Sequence, residues 1–250
     1  MRPNRSGFYR RRDGEERIWF SAAEIEMMME DALRNSGVFP SEAQPAVDIE
    51  RLIQELGVWM DQHAVLDAIV LGLTEFCLDG PPRIFINRDL TGAAMDEDET
   101  SPGIRGRWRA TVAHEGVHVL LHRVLFEVNR GQENLFQVEN QAAPQRLLRC
   151  LKKNVLFRGA ATADWREVQA NMGMAALLMP QSLFRRLADK VAEERGLKAD
   201  AFGVGSGAAA MLTAELARLF EVSKQAAGIR LQTLGILSPV GQPWLIHEVQ

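Results

Sequence analysis

His114, Glu115 and His118 spell HExxH inside the run RATVAHEGVHVLLHRVLFEV, whose apolar residues recur at helical spacing. Residues four apart lie one turn above each other on a helix, so both imidazoles can reach one metal ion. Glu115 lies about 100° around the axis from His114, where a carboxylate meets a water beside the metal rather than the metal itself. This is the arrangement for hydrolysis by a metal-activated water with an adjacent general base. With only two cysteines, Cys77 and Cys150, and no CxxC spacing, a cysteine-rich zinc site cannot be built. Both cysteines are expected to be buried and reduced.

A catalytic zinc site takes a third protein ligand and keeps a fourth position open. The run ADWREVQANMGMAALLMP places Glu167, Asn171, Met174 and Leu178 on one helix face. Two roles are open to Glu167. It is the third ligand, because a carboxylate on a buried face needs a strong partner, or it is the N3 capping partner of Asp164 at an exposed helix start. Asn171, one turn on, suits either a hydrogen bond that orients a ligating imidazole or an ordinary surface amide. His122, four residues beyond His118, is carried away from His114 by helical drift. Metzincin spacing is absent, so His122 is read as a contact behind the ligands or as a structural residue.

The elements that must position these residues are an N-terminal arm, several helices and a small sheet. The first 17 residues are arginine-rich and read as a flexible arm. SAAEIEMMMEDAL, from Ser21 to Leu33, is a helix with Ser21 and Glu24 as a capping box. A second helix is expected from about Pro45, closed by Gly57. Between Val58 and Asn87, short apolar runs predict two or three strands. Arg88 to Gly106 reads as a polar surface loop, and Asn129 to Ala163 as a long polar and basic segment. A helix from about Asp164 to Met179 is stopped by Pro180 and followed by another, SLFRRLADKVAEERGL. Then AFGVGSGAAA is expected as a linker before a helix, a tight turn and a helix starting at Ser223.

Taken together these motifs resemble the ImmA/IrrE family of zinc metallopeptidases. The likeness runs over roughly residues 45 to 236. It is carried by PAVDIERLIQELGV, by IFIN, by RATVAHEGVHVLLH against a usual RFTLAHELGHLLLH, and by EVQANMGMAALLMP against ExEANxFAxxLLMP. The ending LARLFEVSKQAAGIRLQTLGI is similar to the helix-turn-helix-like ending of such proteins. Gly116, Val117 and Ala110 depart from the usual pattern. The resemblance implies an α+β fold, with a zincin-like metallopeptidase core (45–180) and a C-terminal helix-turn-helix-like region (181–250) following the N-terminal arm and helix (1–44). It implies Zn2+ on His114, His118 and Glu167, with Glu115 as base and acid. It also implies a protein substrate, a helix-turn-helix-type transcriptional repressor whose cleavage derepresses genes.

On that reading RIFIN, residues 83 to 87, would be an edge strand that receives the substrate as an added strand. His63, His122 and Arg109 are the candidates for a second donor to the oxyanion. The acidic stretch Asp96 to Glu99 or the basic segment after Gly131 could cover the cleft.

Composition sets the bounds. A chain of 250 residues, 46% hydrophobic and 25% charged with a net charge of -4, is an ordinary globular protein rather than a wholesale binder of nucleic acid or anionic membrane. No apolar stretch suits a secretory signal or approaches the roughly 18 residues of a membrane span, which predicts a cytoplasmic protein. The alternative function is a DNA-binding regulator that uses the C-terminal helices beside a structural or vestigial zinc site. In that stretch Arg218, Lys224 and Arg230 stand against Glu215 and Glu221, a weak phosphate footprint.

Overall fold

The computed structural model describes residues 7–10, 16–77, 80–96, 102–133, 146–151, 164–197 and 203–237. The fold is mixed α+β, as expected. Two short strands, β1 (Gly7–Arg10) and β2 (Glu16–Trp19), pair antiparallel where the sequence suggested only a flexible arm. Helix α1 (Ala22–Asn35) follows, with the anticipated capping box. Ser21 receives the Glu24 amide, and Glu24 accepts from the Ser21 amide at 2.8 Å.

Helix α2 (Ile49–Glu55) starts later than Pro45. Ser41 and Gln44 close a turn on each other, and Asp48 takes the N-cap by accepting from the Arg51 amide. Gly57, at φ 67°, then turns the chain out of the helix.

Three strands fill the apolar segment: β3 (Trp59–Ala64), β4 (Val70–Phe76) and β5 (Arg83–Asn87). A further strand, β6 (Arg146–Leu151), lies in the segment read as polar and basic. The sheet order is β3-β5-β4-β6, with β3 and β5 parallel and the other pairs antiparallel. RIFIN is therefore internal, bonded on both sides, and is not the edge strand that the peptide-docking expectation required. Along β4 every residue but Leu73 is buried, so both faces of that strand are covered.

Arg88 to Gly106 is not a loop throughout. Asn87 caps helix α3 (Arg88–Met95) by accepting from the Asp89 amide, and Leu90, Thr91 and Ala94 are buried. Helix α4 (Pro102–Glu133) begins seven residues before the expected Arg109, with Pro102 at its first position, where a missing N–H costs nothing. Trp108 Nε1 donates to Thr91 Oγ1 at 3.2 Å and ties α4 to α3. Glu97 to Glu99, and most of the basic segment after Gly131, lie outside the described residues. The part that is described, β6, pairs along β4.

Asp164 caps α5 (Trp165–Leu178), and Pro180 precedes α6 (Gln181–Glu194). Ser206 caps α7 (Gly207–Leu219), so the end of the expected small-residue linker is helical. Glu221, at φ 51°, makes the tight turn, and Ser223 caps α8 (Lys224–Thr233) as expected. One apolar cluster runs without a break from Ile25 to Leu237, through Val117, Leu177, Phe184, Leu216 and Leu231. The α7–α8 turn is docked on the start of α4. A Cβ on Gly106 would lie 3.0 Å from the Ser223 nitrogen, and Glu221 faces Arg105 and Arg109 at 3.8 and 3.7 Å. Among the described residues no helix is long and apolar enough to cross a membrane.

Candidate metal centre

α4 passes beneath β4 and alongside α5, and the three elements meet at the HExxH turn. His114, Glu115 and His118 are all fully buried. Their helix comes close to its neighbours because small residues stand at the crossings. A Cβ on Gly173 of α5 would lie 2.6 Å from Val117 Cγ1, and one on Gly116 would lie 2.8 Å from Ile53 Cδ1 of α2. The departures noted at 116 and 117 are thus a matched pair of packing contacts, a notch for α2 and a knob for α5.

The close approach of α5 delivers Glu167. Its Oε2 is 3.2 Å from His114 Nε2 and its Oε1 is 3.3 Å from His118 Nε2, while the two Nε2 atoms are 3.1 Å apart. Both Glu167 oxygens therefore face the imidazoles. Asp164 caps α5 by accepting from the Arg166 amide and is held by the Arg166 side chain at 2.8 Å. Asn171 Oδ1 is 3.1 Å from His114 Nδ1, so it accepts from that ring and leaves the Nε2 lone pair directed at the cluster.

Each of the three residues offers one ligand atom, and these lie within 4.8 Å of one another. A tetrahedral ion with bonds of about 2.0–2.1 Å sets neighbouring ligands roughly 3.3 Å apart, which the closest pairs here match. Two imidazoles and one carboxylate, converging in a buried place, form a donor set that could hold a divalent metal ion.

The electrostatics run the same way. Burial pushes His118 down to about 4, and burial together with the neighbouring His118 pushes His122 down to about 3, so both rings stay neutral near pH 7. Burial alone would raise the Glu167 carboxyl. The two imidazoles beside it, His114 and His118, outweigh burial and hold the group well below the usual carboxylate range.

Glu115 points from α4 towards β4. Thr74 Oγ1 donates to its Oε2 at 2.5 Å, and Gly72 leaves room for it, since a Cβ there would lie 2.7 Å from Glu115 Oε1 and 2.8 Å from Thr111 Cγ2. Sequence reasoning missed both residues. Their only signal was a glycine and a threonine interrupting an apolar strand.

His122 stands behind the cluster, with its Nδ1 2.9 Å from His118 Nδ1 and its Nε2 3.2 Å from Gln169 Oε1. Of the other two oxyanion candidates, Arg109 donates to the Val47 carbonyl at 2.8 Å and faces Glu221. His63 is exposed on β3, two strands away from β4. Cys77 is half-buried rather than buried, with Sγ 3.8 Å from Glu75 Oε2, and the expectation for the Cys150 side chain falls outside the described part of the structure.

Compared with known proteins, the chain matches no family model, no curated protein and no solved structure.

Proposed function

We propose that the protein is a zinc-dependent endopeptidase that cleaves a regulatory protein, with a helix-turn-helix transcriptional repressor as the substrate class. The observation that carries the hydrolase reading is the convergence of His114, His118 and Glu167 beside a carboxylate, Glu115, that faces β4 instead of joining the cluster. A structural site has no use for that fourth group. Zinc as the metal is supported by the two-imidazole, one-carboxylate donor set with a base-type carboxylate beside it, and by the motif resemblance. Membership of the ImmA/IrrE metallopeptidases, the zincin-like core, the helix-turn-helix-like ending, the cytoplasmic setting and the repressor substrate rest on the motif resemblance.

When bound, zinc would polarise the scissile carbonyl and acidify a water. The chain's residues supply the rest. Thr74 holds Glu115 Oε2, Gly72 keeps the space beside Oε1 clear, and Glu115 takes a proton from the attacking water and returns it to the leaving amine. Asn171 and His122 hold the two imidazoles with their Nε2 lone pairs turned inward.

The DNA-binding alternative draws less support. Arg230 of α8 is 3% exposed and turned inward to Glu26 and the Met179 carbonyl, and Arg218 lies 3.3 Å from Glu215. One of the three cations that would meet phosphate is thus buried within the protein, and a second is paired at the surface with a carboxylate. Incubation with a candidate repressor, with and without chelator, tests the proposal by mass spectrometry. A metal-dependent cut supports it. Intact repressor alongside zinc-loaded protein counts against that substrate class, and salt-dependent binding of the full chain to DNA would favour the alternative.

A further inference from the structure

The metal-facing ring His118 is the first member of a buried chain of hydrogen-bonding groups that ends on backbone far away in sequence. His118 Nδ1 lies 2.9 Å from His122 Nδ1, His122 Nε2 lies 3.2 Å from Gln169 Oε1, and Gln169 Nε2 donates to the Ile18 carbonyl at 3.2 Å. All four residues are at most 2% exposed. Trp165 stands edge-on to His122 at 5.5 Å and packs with Ile18 and Leu125, which closes the chain off from solvent.

A carbonyl oxygen only accepts, and for two neutral rings this sets the direction of every bond in the chain. Gln169 must present its amide N–H to Ile18, so its oxygen faces His122. His122 must then carry its proton on Nε2 and offer a lone pair at Nδ1. His118 must in turn carry its proton on Nδ1, which leaves the Nε2 lone pair facing His114 and Glu167. Without that bias the other tautomer competes, with an Nε2–H donating to Glu167 Oε1 and blocking the place a metal would take.

We propose that Gln169 and the Ile18 carbonyl are positioning groups that preset the metal-ready tautomer of His118, and that strand β2 is thereby part of the metal centre. This rests on the reading of His114, His118 and Glu167 as a metal site. It adds two elements to that site, an α5 glutamine on the far side of His122 and an N-terminal strand.

The test uses the full chain in two readouts. In the first, nitrogen-15 NMR of the metal-free protein reports each histidine tautomer. His118 is expected as Nδ1–H and His122 as Nε2–H, and His118 found mainly as Nε2–H overturns the proposal whether or not zinc binds. In the second, zinc affinity is measured by chelator competition for wild type, Gln169→Met and Gln169→Glu. Gln169→Met removes the acceptor and is expected to weaken zinc by about 10- to 100-fold, the usual effect of losing a group that orients a metal-ligating histidine. Gln169→Glu, taking up the proton that lets one oxygen donate to the Ile18 carbonyl while the other accepts from His122 Nε2–H, keeps both bonds and is expected to stay within a few-fold of wild type.

Equal affinity in all three proteins, or equal loss in both variants, overturns the relay. If Gln169→Met does not fold, the wild-type tautomers and Gln169→Glu decide the matter. If wild type binds no zinc while the tautomers are as stated, the metal reading fails and the relay stands.

Discussion

Val117 occupies the volume that a side chain at residue 173 would need: a Cβ built on Gly173 lies 2.6 Å from Val117 Cγ1 and 2.9 Å from Cγ2. Because a valine side chain has little rotameric freedom on a helix, it cannot swing aside. This contact sets how closely α5 lies on α4, and with it the reach of Glu167 to the two imidazoles. Gly173→Ala is expected to cost about 1–3 kcal/mol through overpacking and to weaken zinc binding. Adding Val117→Ala should restore part of both. Urea denaturation and chelator competition on the two single variants and the double variant measure this, and additive losses would show that the contact does not set the spacing.

Thr74 is expected to act on turnover and not on metal content. Thr74→Val removes the donor to Glu115 Oε2 while keeping shape and burial. The carboxylate then loses its orientation, and kcat should fall by about tenfold or more, part of the roughly 100- to 10,000-fold that general acid–base catalysis contributes, at unchanged zinc stoichiometry. Gly72→Ala, which drives a methyl into the same carboxylate, should do likewise. Loss of zinc in Thr74→Val would assign Thr74 to the metal rather than to Glu115.

The Arg230–Glu26 pair fastens α8 to α1, and Arg230 also donates to the Met179 carbonyl at 2.8 Å. Arg230→Met leaves the partly buried carboxylate and the carbonyl without their cation, at a cost of about 3 kcal/mol, the lower end for breaking a buried pair. Thermal unfolding reads this directly. A variant as stable as wild type would mean that Arg230 is free to serve an external partner.

Acid should destabilise the metal-free protein before it titrates the folded site. His118 and His122 are held at about 4 and about 3 in the folded chain, below the ordinary histidine value of about 6.5. Between these values the unfolded chain binds protons that the folded chain refuses, so stability is greatest above pH 6.5 and falls as the pH drops towards 4. Glu167, whose folded carboxyl is depressed, adds a loss of the same sign at lower pH. Denaturation midpoints of metal-free protein at about pH 7.5, 6 and 5 are expected to decrease in that order, and a flat profile would contradict neutral burial of the two rings.

The donor cluster and several helix ends were legible because they depend on local spacing. HExxH on a helix, the Ser21 and Glu24 capping box, and the Gly57 and Pro180 stops each need only a few neighbouring residues. What was not legible depends on tertiary pairing. RIFIN looks the same at an edge or in the middle, and only β3 and β4 flanking it decide which. Asn87 ends a strand and caps a helix at once, which hid α3. Strands β1 and β6 carry basic sequences whose pairing comes from their partners rather than from apolar alternation. Gln169 lay in a buried stripe with Trp165 and Ala176, but its partners are 47 and 151 residues away.

In the proposed mechanism Glu115 transfers protons beside a zinc ion held by His114, His118 and Glu167. The decisive measurement is mass spectrometry of a peptide library and a candidate repressor exposed to zinc-loaded wild type, chelated wild type and Glu115→Gln, with zinc content measured in each. Cuts by zinc-loaded wild type alone, with Glu115→Gln still holding about one zinc per chain, are the predicted result. Cutting that persists in Glu115→Gln, or that survives complete removal of the metal, would contradict it.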